Sequence, residues 1–202
     1  MKKISIYIIF CTMRNDKIRL ITGIGILTAI VIVLQLIGSV IKLGPFSISL
    51  VLIPIVVGAA LYGPLAGFWL GLVFGIVVLL SGDAAPFFAV NVLGTVLTVL
   101  IKGSMAGLVS GLIYKTFKEK NTLATILSAI ACPIVNTGLF LVGCFLFFMP
   151  TLASWASGLG FPNTINYMIF GLVGGNFLFE LLVNAILSPV IIKVIKMGDK
   201  AH

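Results

Sequence analysis

Long apolar runs, separated by short polar or glycine- and proline-containing stretches, dominate the sequence. A transmembrane helix needs about 20 mostly apolar residues, and most of the runs approach or exceed that length. The pattern predicts six membrane-spanning helices, at residues 20–41, 47–61, 65–80, 87–114, 123–148 and 165–194. The second and third runs are short, and Tyr62, Gly63 and Pro64 between them predict a tight hairpin.

The runs follow one another without a linker, a low-complexity tract or an evident repeat. We therefore predict an all-α integral membrane protein with a single domain over residues 1–202. The apolar stretch at residues 4–13 is too short to span a membrane. Residues 1–16 are accordingly expected to be disordered or to come from an over-extended gene start.

Composition supports the membrane assignment. Hydrophobic residues make up 60% of the chain and charged residues 9%, and the mean hydropathy is +1.28. A soluble domain carries about 25% charged residues, so a soluble protein of this size could not cover its surface with so few charges. Soluble enzymes and nucleic-acid-binding proteins are thereby excluded.

The charges are mainly positive, with 13 Lys and Arg against 5 Asp and Glu, for a net charge of +8. Basic residues of membrane proteins concentrate in cytoplasmic segments. With six spans and both termini cytoplasmic, 11 of the 13 lie inside: five before the first span, three between the fourth and fifth, and three at the end. Merging the second and third spans would move Lys115, Lys118 and Lys120 outside, so the charges favour six spans.

Polar residues are costly inside a bilayer, which makes their positions informative. In the fourth, fifth and sixth predicted spans they recur at helical spacing and would share one face of each helix. These polar stripes are Asn91, Thr95, Thr98 and Lys102; Ser128, Cys132 and Asn136; and Asn176, Glu180 and Asn184. We expect the three faces to meet in a polar interior instead of facing lipid.

Lys102 and Glu180 are the strongly ionisable groups deep in the predicted spans. Both lie about 20 Å from the outer ends of their predicted helices, so their depths match. Three interpretations are open: a buried salt bridge between the two helices, a substrate site in which Lys102 holds an anionic group, and a proton relay. An unpaired charge at that depth would neutralise, so we expect Lys102 to have a partner.

Small and aromatic residues leave two further questions open. Glycines recur every fourth residue in the third and fourth spans, which suits either internal helix packing or a docking face for a partner protein. They are Gly63, Gly67, Gly71 and Gly75, and Gly103, Gly107 and Gly111. Near the third outer loop, Trp155 and Tyr167 suit either interfacial anchors or an aromatic lid over a ligand.

The sequence offers little support for catalysis. It has no histidine before His202, no metal-ligand cluster, and no nucleophile or phosphate-binding motif. We therefore expect that the chain is not an enzyme and that it uses no cofactor. A self-sufficient secondary transporter that uses Lys102 and Glu180 is the main alternative to a binding protein, and an intramembrane enzyme is a third.

Residues 44–67, GPFSISLVLIPIVVGAALYGPLAG, resemble the first loop, second helix and start of the third helix of one transporter family. These are the S components, the substrate-binding subunits of energy-coupling factor (ECF) vitamin transporters. Gly63, Pro64 and Gly67 form a turn that is typical of the family. Gly25 and Ala29 resemble its small-residue docking motif, although the family usually shows alanine where this chain has Gly25. The resemblance covers nearly the whole chain from about residue 13.

The resemblance implies a vitamin-binding subunit that docks on a transmembrane coupling subunit with two ATPase subunits, and topples in the bilayer to release its vitamin. Docking would use Gly25 and Ala29. The pocket would lie on the outer side, within the fourth to sixth helices, under gating loops that here contain Phe46, Ser47 and Trp155. The lipid bilayer is an expected partner and nucleic acid is not.

The predicted substrate-binding residues are eight members of the polar stripes. They are Asn91, Thr95, Thr98, Lys102, Asn136, Asn176, Glu180 and Asn184. Pantothenate is the favoured vitamin, because residues 46–67 resemble the pantothenate-type members and Lys102 suits an anion. Riboflavin is next, because Phe145, Phe147 and Phe148 could contact a flavin ring.

Overall fold

A computed structural model describes the backbone of residues 2–40, 42–43, 46–47 and 50–200, and the side chains of residues 17–40, 50–120 and 122–193. The described chain is helical apart from one pair of two-residue strands. In chain order the elements are α1 (Lys2–Val40), β1 (Lys42–Leu43), β2 (Phe46–Ser47), α2 (Leu52–Tyr62), α3 (Pro64–Ser81), α4 (Ala85–Phe88), α5 (Val92–Thr116), α6 (Asn121–Phe147), α7 (Met149–Gly158), α8 (Thr164–Asn166), a π-helical segment (Tyr167–Val173) and α9 (Gly174–Lys200).

Five helical stretches are long and apolar enough to cross a membrane. They lie in α1, α3, α5, α6 and the run from α8 to α9. The predicted helical, multi-pass membrane architecture is thus confirmed. The predicted second span at residues 47–61 corresponds to α2, which has 11 residues and a length of about 16 Å, roughly half of the hydrocarbon core.

α2 and α3 form the predicted tight hairpin. Gly63 has φ +96°, a conformation that glycine adopts without steric penalty, and Pro64 occupies the first turn of α3, where its missing N–H is tolerated. The side chains from Leu52 to Ala59 are all buried. Because α1, α3, α5, α6 and α9 all pack against it, α2 lies at the centre of the bundle.

α3 and α5 approach each other through their glycines. A methyl group on Gly71 would overlap the backbone of Gly103, and a methyl group on Gly107 would overlap the backbone of Gly67. The two rows therefore face each other inside the protein, as the internal-packing interpretation predicted. Since the positions rise in α3 as they fall in α5, the two helices run antiparallel.

Two hydrogen bonds fix the direction of α1 relative to α3. Trp69 Nε1 donates to Thr28 Oγ1 at 3.3 Å, and Gln35 Nε2 donates to Asp83 Oδ2 at 2.7 Å. The partners advance along both segments together, so α1 and α3 run parallel. Between them the chain returns across the bundle, and α2 lies on this return path.

The predicted fourth span at residues 87–114 corresponds to α5, but the helix starts later than predicted, because Asn91 interrupts it. Asn91 is extended, with φ −152° and ψ 101°, and its side-chain oxygen accepts a hydrogen bond from the backbone N–H of Gly94 at 2.9 Å. Asparagine is a preferred residue for capping a helix in this way. The polar side chain that was predicted within a helix instead begins one, and the separate short helix α4 precedes it.

The predicted third outer loop at residues 151–164 overlaps α7. Leu152 and Ala156, one helical turn apart, are both buried and hold α7 against the bundle. After α7 the chain continues through α8 and the π-helical segment. The wider turns of this segment lead directly into α9. The final predicted span is therefore confirmed in position but begins with irregular helical geometry.

Candidate functional site

A central cavity of about 110 Å³ lies among α1, α3, α5, α6 and the start of α9. One water molecule requires only about 10–15 Å³ measured in this way, so the cavity is large enough for a small ligand or several waters. Its wall combines cationic, acidic, amide and aromatic groups. The polar and aromatic lining residues are Gln35, Phe74, Asp83, Phe87, Lys102, Asn136, Thr137, Phe140, Asn176, Phe177 and Glu180.

Lys102 of α5 supplies the positive charge of the cavity. Its ammonium nitrogen lies 4.8 Å from the ring centroid of Phe140 and 5.9 Å from that of Phe74. Aromatic faces attract a cation, most strongly where water is excluded. Glu180 of α9 is buried in the same cavity wall and attracts the ammonium electrostatically. The cavity wall thus places the Lys102 side-chain nitrogen close to two aromatic rings, in the same wall as the Glu180 carboxyl group.

Neutral polar groups from α6 and α9 line the cavity beside these charges. They belong to Asn136, Thr137 and Asn176. The Asn136 side chain is 5% exposed, and its Oδ1 atom has no hydrogen-bond partner among the described residues. A buried acceptor without a partner costs about 1–3 kcal/mol. A bound ligand or water that donated a hydrogen bond to this oxygen would remove that penalty.

Gln35, in the last two turns of α1, and Asp83, in the α3–α4 connection, form a hydrogen-bonded pair in the wall of the cavity. Both residues line the cavity, and the Gln35 amide donates to the Asp83 carboxylate at 2.7 Å. Gln35 is 3% exposed. Asp83 also attracts the Lys102 ammonium electrostatically, so the hydrogen-bonded pair belongs to the electrostatic environment of the cavity.

An aromatic cluster around Phe87 closes another part of the wall. The Phe87 ring lies edge-to-face against Phe148 at 5.0 Å, Phe140 at 5.7 Å and Trp155 at 5.8 Å between centroids. These separations are typical of stabilising aromatic pairs. The cluster anchors α4 to α6 and α7, and it places Trp155 one side chain away from the cavity.

The structure brings together four of the eight predicted substrate-binding residues. Lys102, Asn136, Asn176 and Glu180, from three different helices, all line the central cavity. The sequence predicted that the polar faces of these helices would meet, and they do so here. Lys102 and Glu180 share the cavity wall, as both the salt-bridge and the substrate-site interpretations require.

The other four predicted residues, Asn91, Thr95, Thr98 and Asn184, do not line this cavity. Thr95 Oγ1 donates to the backbone oxygen of Asn91 at 2.7 Å, so both residues support the start of α5. Thr98 is buried, and its Oγ1 has no hydrogen-bond partner among the described residues. Asn184 donates to the backbone oxygen of Glu180 at 3.1 Å, one helical turn away from the cavity wall.

The remaining polar stripe members have a packing role. Ser128 Oγ donates to the backbone oxygen of Ser110 at 2.9 Å and lies 2.8 Å from Ser110 Oγ, which fastens α6 to α5 in the interior. Cys132 is fully buried in the main apolar cluster. These small side chains, which do not line the cavity, therefore contribute to the packing of the helices.

The predicted docking and gating residues lie elsewhere. Gly25 and Ala29 are exposed on α1, and a side chain on Gly25 would meet nothing within 4 Å. Phe46 and Ser47 form strand β2, which pairs antiparallel with β1, but their side chains lie outside the described residues. Trp155 contacts the cavity-lining Phe87, which suits an aromatic cover over the cavity as well as an interfacial anchor.

Gln35 is the lining residue that the sequence analysis most clearly missed. It is the single glutamine of the chain and interrupts the first apolar run, so the criterion applied to the later spans would have found it. Phe74 and Phe140 had no comparable signal. The chain has 15 phenylalanines, and the spacing along one helix does not indicate which rings surround a lysine on another.

Comparisons with known proteins add independent findings. A family model described as ECF transporter, substrate-specific component, matches residues 19–195. The chain is also 28% identical over 199 residues to the pantothenic acid transporter PanT of Lactococcus lactis subsp. cremoris (strain MG1363), and the alignment covers 89% of this chain and 95% of the relative. No solved structure matches the chain.

Proposed function

This chain belongs to the family of ECF transporter substrate-specific components, and from that premise we propose that it binds pantothenate for uptake across the cell membrane. The transport of the bound vitamin would be driven by a separate membrane coupling subunit and two ATPase subunits. The observation that carries the choice of substrate is Lys102, whose side-chain nitrogen lies near the Phe74 and Phe140 rings in the wall of the central cavity.

The chemistry of the cavity suits pantothenate group by group. The vitamin has a carboxylate at one end, a central amide, two hydroxyl groups and a pair of methyl groups. Lys102 would bind the carboxylate through a charge-assisted hydrogen bond. Asn136, Asn176 and Glu180 would pair with the amide and hydroxyl groups, and Phe87 would pack against the methyl groups. The similarity to a relative named as a pantothenic acid transporter supports this assignment.

Riboflavin is the second candidate substrate, and it differs from pantothenate in what Lys102 would contribute to the binding affinity. It carries no carboxylate, so its affinity would not depend on a charge at position 102. Phe145 and Phe147, which suggested a flavin-binding role, are exposed on the outer surface of the described protein, whereas Phe148 is buried in the aromatic cluster beside Phe87. The positions of the first two rings favour pantothenate over a flavin.

We also propose that the chain crosses the membrane six times with both termini in the cytoplasm. The parallel arrangement of α1 and α3 supports a return crossing through residues 41–63, which include α2. The exposed Lys115, Lys118 and Lys120 after α5 support the orientation. A membrane-impermeant thiol reagent applied to intact cells should label Ser154→Cys and not Lys118→Cys, and the reverse pattern would contradict the orientation.

The exposed Gly25 and Ala29 support a role for α1 in docking the coupling subunit. Small residues on an exposed helix face allow another helix to approach closely within a membrane. The described helix packs its own neighbours through other residues, so this face stays open for a partner. The loops that contain Phe46, Ser47 and Trp155 are the proposed gates above the cavity.

Binding measurements on the purified full-length protein test the substrate. Wild-type protein should bind pantothenate more tightly than pantothenol, in which an alcohol replaces the carboxylate, and more tightly than riboflavin. Lys102→Met removes the charge and should weaken pantothenate binding by about 10-fold to 100-fold while leaving pantothenol binding nearly unchanged. Lys115→Met, at the exposed end of the same helix, is the matched control.

Two results would contradict the assignment. Tight riboflavin binding without pantothenate binding would show that riboflavin is the substrate. Unchanged pantothenate affinity in folded Lys102→Met would show that the lysine does not bind the carboxylate.

The alternative of a self-sufficient secondary transporter predicts uptake into liposomes that is driven by an ion gradient alone. The proposed function instead predicts substrate binding without net uptake until the coupling subunit and ATPases are added.

A further inference from the structure

The hydrogen bond between Gln35 and Asp83 joins two parts of the protein that differ in how firmly they are held. Asp83 lies in the α3–α4 connection, which the aromatic cluster of Phe87 anchors to α6 and α7. Gln35 lies on α1, the least buried of the five long apolar helices. Among the described residues of α1, Gln35 is the one that lines the cavity. The bond therefore connects a peripheral helix to the wall of the central cavity.

The other contacts of α1 with the bundle are mostly apolar or distant from the cavity. Val31 packs in the main apolar cluster, and Thr28 accepts the hydrogen bond from Trp69 at 3.3 Å, about 10 Å along the helix from Gln35. Apolar contacts in a membrane are replaced by lipid contacts at little cost. The Gln35–Asp83 bond is different, because Gln35 lies within the apolar stretch Lys17–Val40, and its amide would face lipid without a hydrogen-bond partner if α1 moved away.

From this placement we infer that Gln35 and Asp83 form a latch that retains the substrate, and that α1 must release Asp83 before the cavity opens. The latch is a positioning device, because Gln35 acts by holding α1 against Asp83 at the wall of the cavity. The exposed face with Gly25 lies on the same helix, about 15 Å from Gln35. A partner that displaced α1 through that face would therefore act directly on the latch.

The inference rests on the proposed function for the identity of the substrate, and the test uses pantothenate as its probe. Gln35→Leu removes the amide and fits an apolar surrounding. Gln35→Glu combined with Asp83→Asn exchanges the donor and the acceptor while keeping both side-chain lengths and the negative charge in the cavity wall. Thr28→Val is the matched control, because it removes the hydrogen bond that Trp69 of α3 donates to Thr28 of α1.

The rate of pantothenate dissociation from the purified full-length protein is the principal measurement. Gln35→Leu should release pantothenate about 10-fold faster or more. The exchanged pair should return the rate close to the wild-type value, and Thr28→Val should leave it unchanged. A dissociation rate in folded Gln35→Leu equal to that of Thr28→Val would overturn the latch while leaving the proposed function intact.

A second measurement does not depend on the substrate. Hydrogen exchange in the ligand-free protein should be faster in Gln35→Leu than in wild type at the backbone amides of Leu36 and Ile37, which follow Gln35 in α1. Equal exchange in the two proteins would overturn the latch even if pantothenate proved not to be the substrate. Failure of wild-type protein to bind pantothenate, with faster exchange in the variant, would instead reject the proposed substrate and support the latch.

Discussion

Replacing Gly71 by alanine should test how closely α3 and α5 are packed. The added methyl group would overlap the backbone oxygen and carbonyl carbon of Gly103 and approach the Cα of Ser104. Backbone atoms cannot rotate away as a flexible side chain can, so the two helices must separate locally. Inserting a methyl group into a closely packed interior typically costs about 1–3 kcal/mol.

Gly138 of α6 provides a matched control with the opposite expected sign. It also lies within a helix, but a side chain there would meet nothing within 4 Å. Alanine is favoured over glycine in a helix by about 1 kcal/mol. Gly138→Ala should therefore be neutral or stabilising. Gly71 is helical as well, so this preference applies to both variants, and they should differ in stability by the packing cost of about 1–3 kcal/mol.

Thermal unfolding in one detergent, followed by loss of helical signal or by aggregation, is a suitable assay. For a protein of this length the stability difference corresponds to a separation of roughly 2–12 °C in midpoint. Gly71→Ala should melt below wild type, and Gly138→Ala should melt at or above it. A Gly71→Ala protein that melts together with Gly138→Ala would refute the direct packing of the two glycine rows.

Other positions give shorter tests. Asn136→Leu should weaken pantothenate binding without lowering the melting temperature, because it removes a buried unpartnered acceptor; a lower melting temperature would indicate a structural role. Ser110→Ala and Ser128→Ala should each lower the free energy of unfolding by about 1 kcal/mol, and the double variant should lose less than the sum in a double-mutant cycle. Pantothenate should change the fluorescence of Trp155, measured with the second tryptophan replaced by phenylalanine, because this ring contacts the cavity wall through one neighbour. Gly25→Leu should leave pantothenate affinity unchanged and reduce uptake when the coupling subunit and ATPases are present, which reconstituted transport would measure.

The helical membrane architecture was predictable because apolar length and the positions of lysine and arginine are properties of the sequence itself. The α2–α3 hairpin was equally accessible, since Gly63 and Pro64 favour that turn. The division between α4 and α5 was not predicted. Asn91 caps a helix through its side chain, yet its spacing from Thr95 also fits one face of a continuous helix. Periodicity alone does not separate these two roles.

The candidate site was predictable only in part. The helical spacing of Lys102, Asn176 and Glu180 indicated that their faces meet, because charged and amide groups must find partners inside a membrane. The same criterion did not separate them from Asn184, which forms its hydrogen bonds within its own helix. The aromatic rings around Lys102 depend on how α3, α5 and α6 pack, and no local pattern encodes that arrangement.

The position of α2 has a consequence for biosynthesis. Eleven residues are too few for independent insertion as a spanning helix, and the finished protein buries most of them away from lipid. We expect α2 to enter the bilayer together with α3 as a hairpin bent at Gly63, and to reach its final place only when α5, α6 and α9 have been synthesised. Truncation after α3 should therefore leave a poorly inserted, rapidly degraded product, even though the truncated chain still contains α1, α2 and α3.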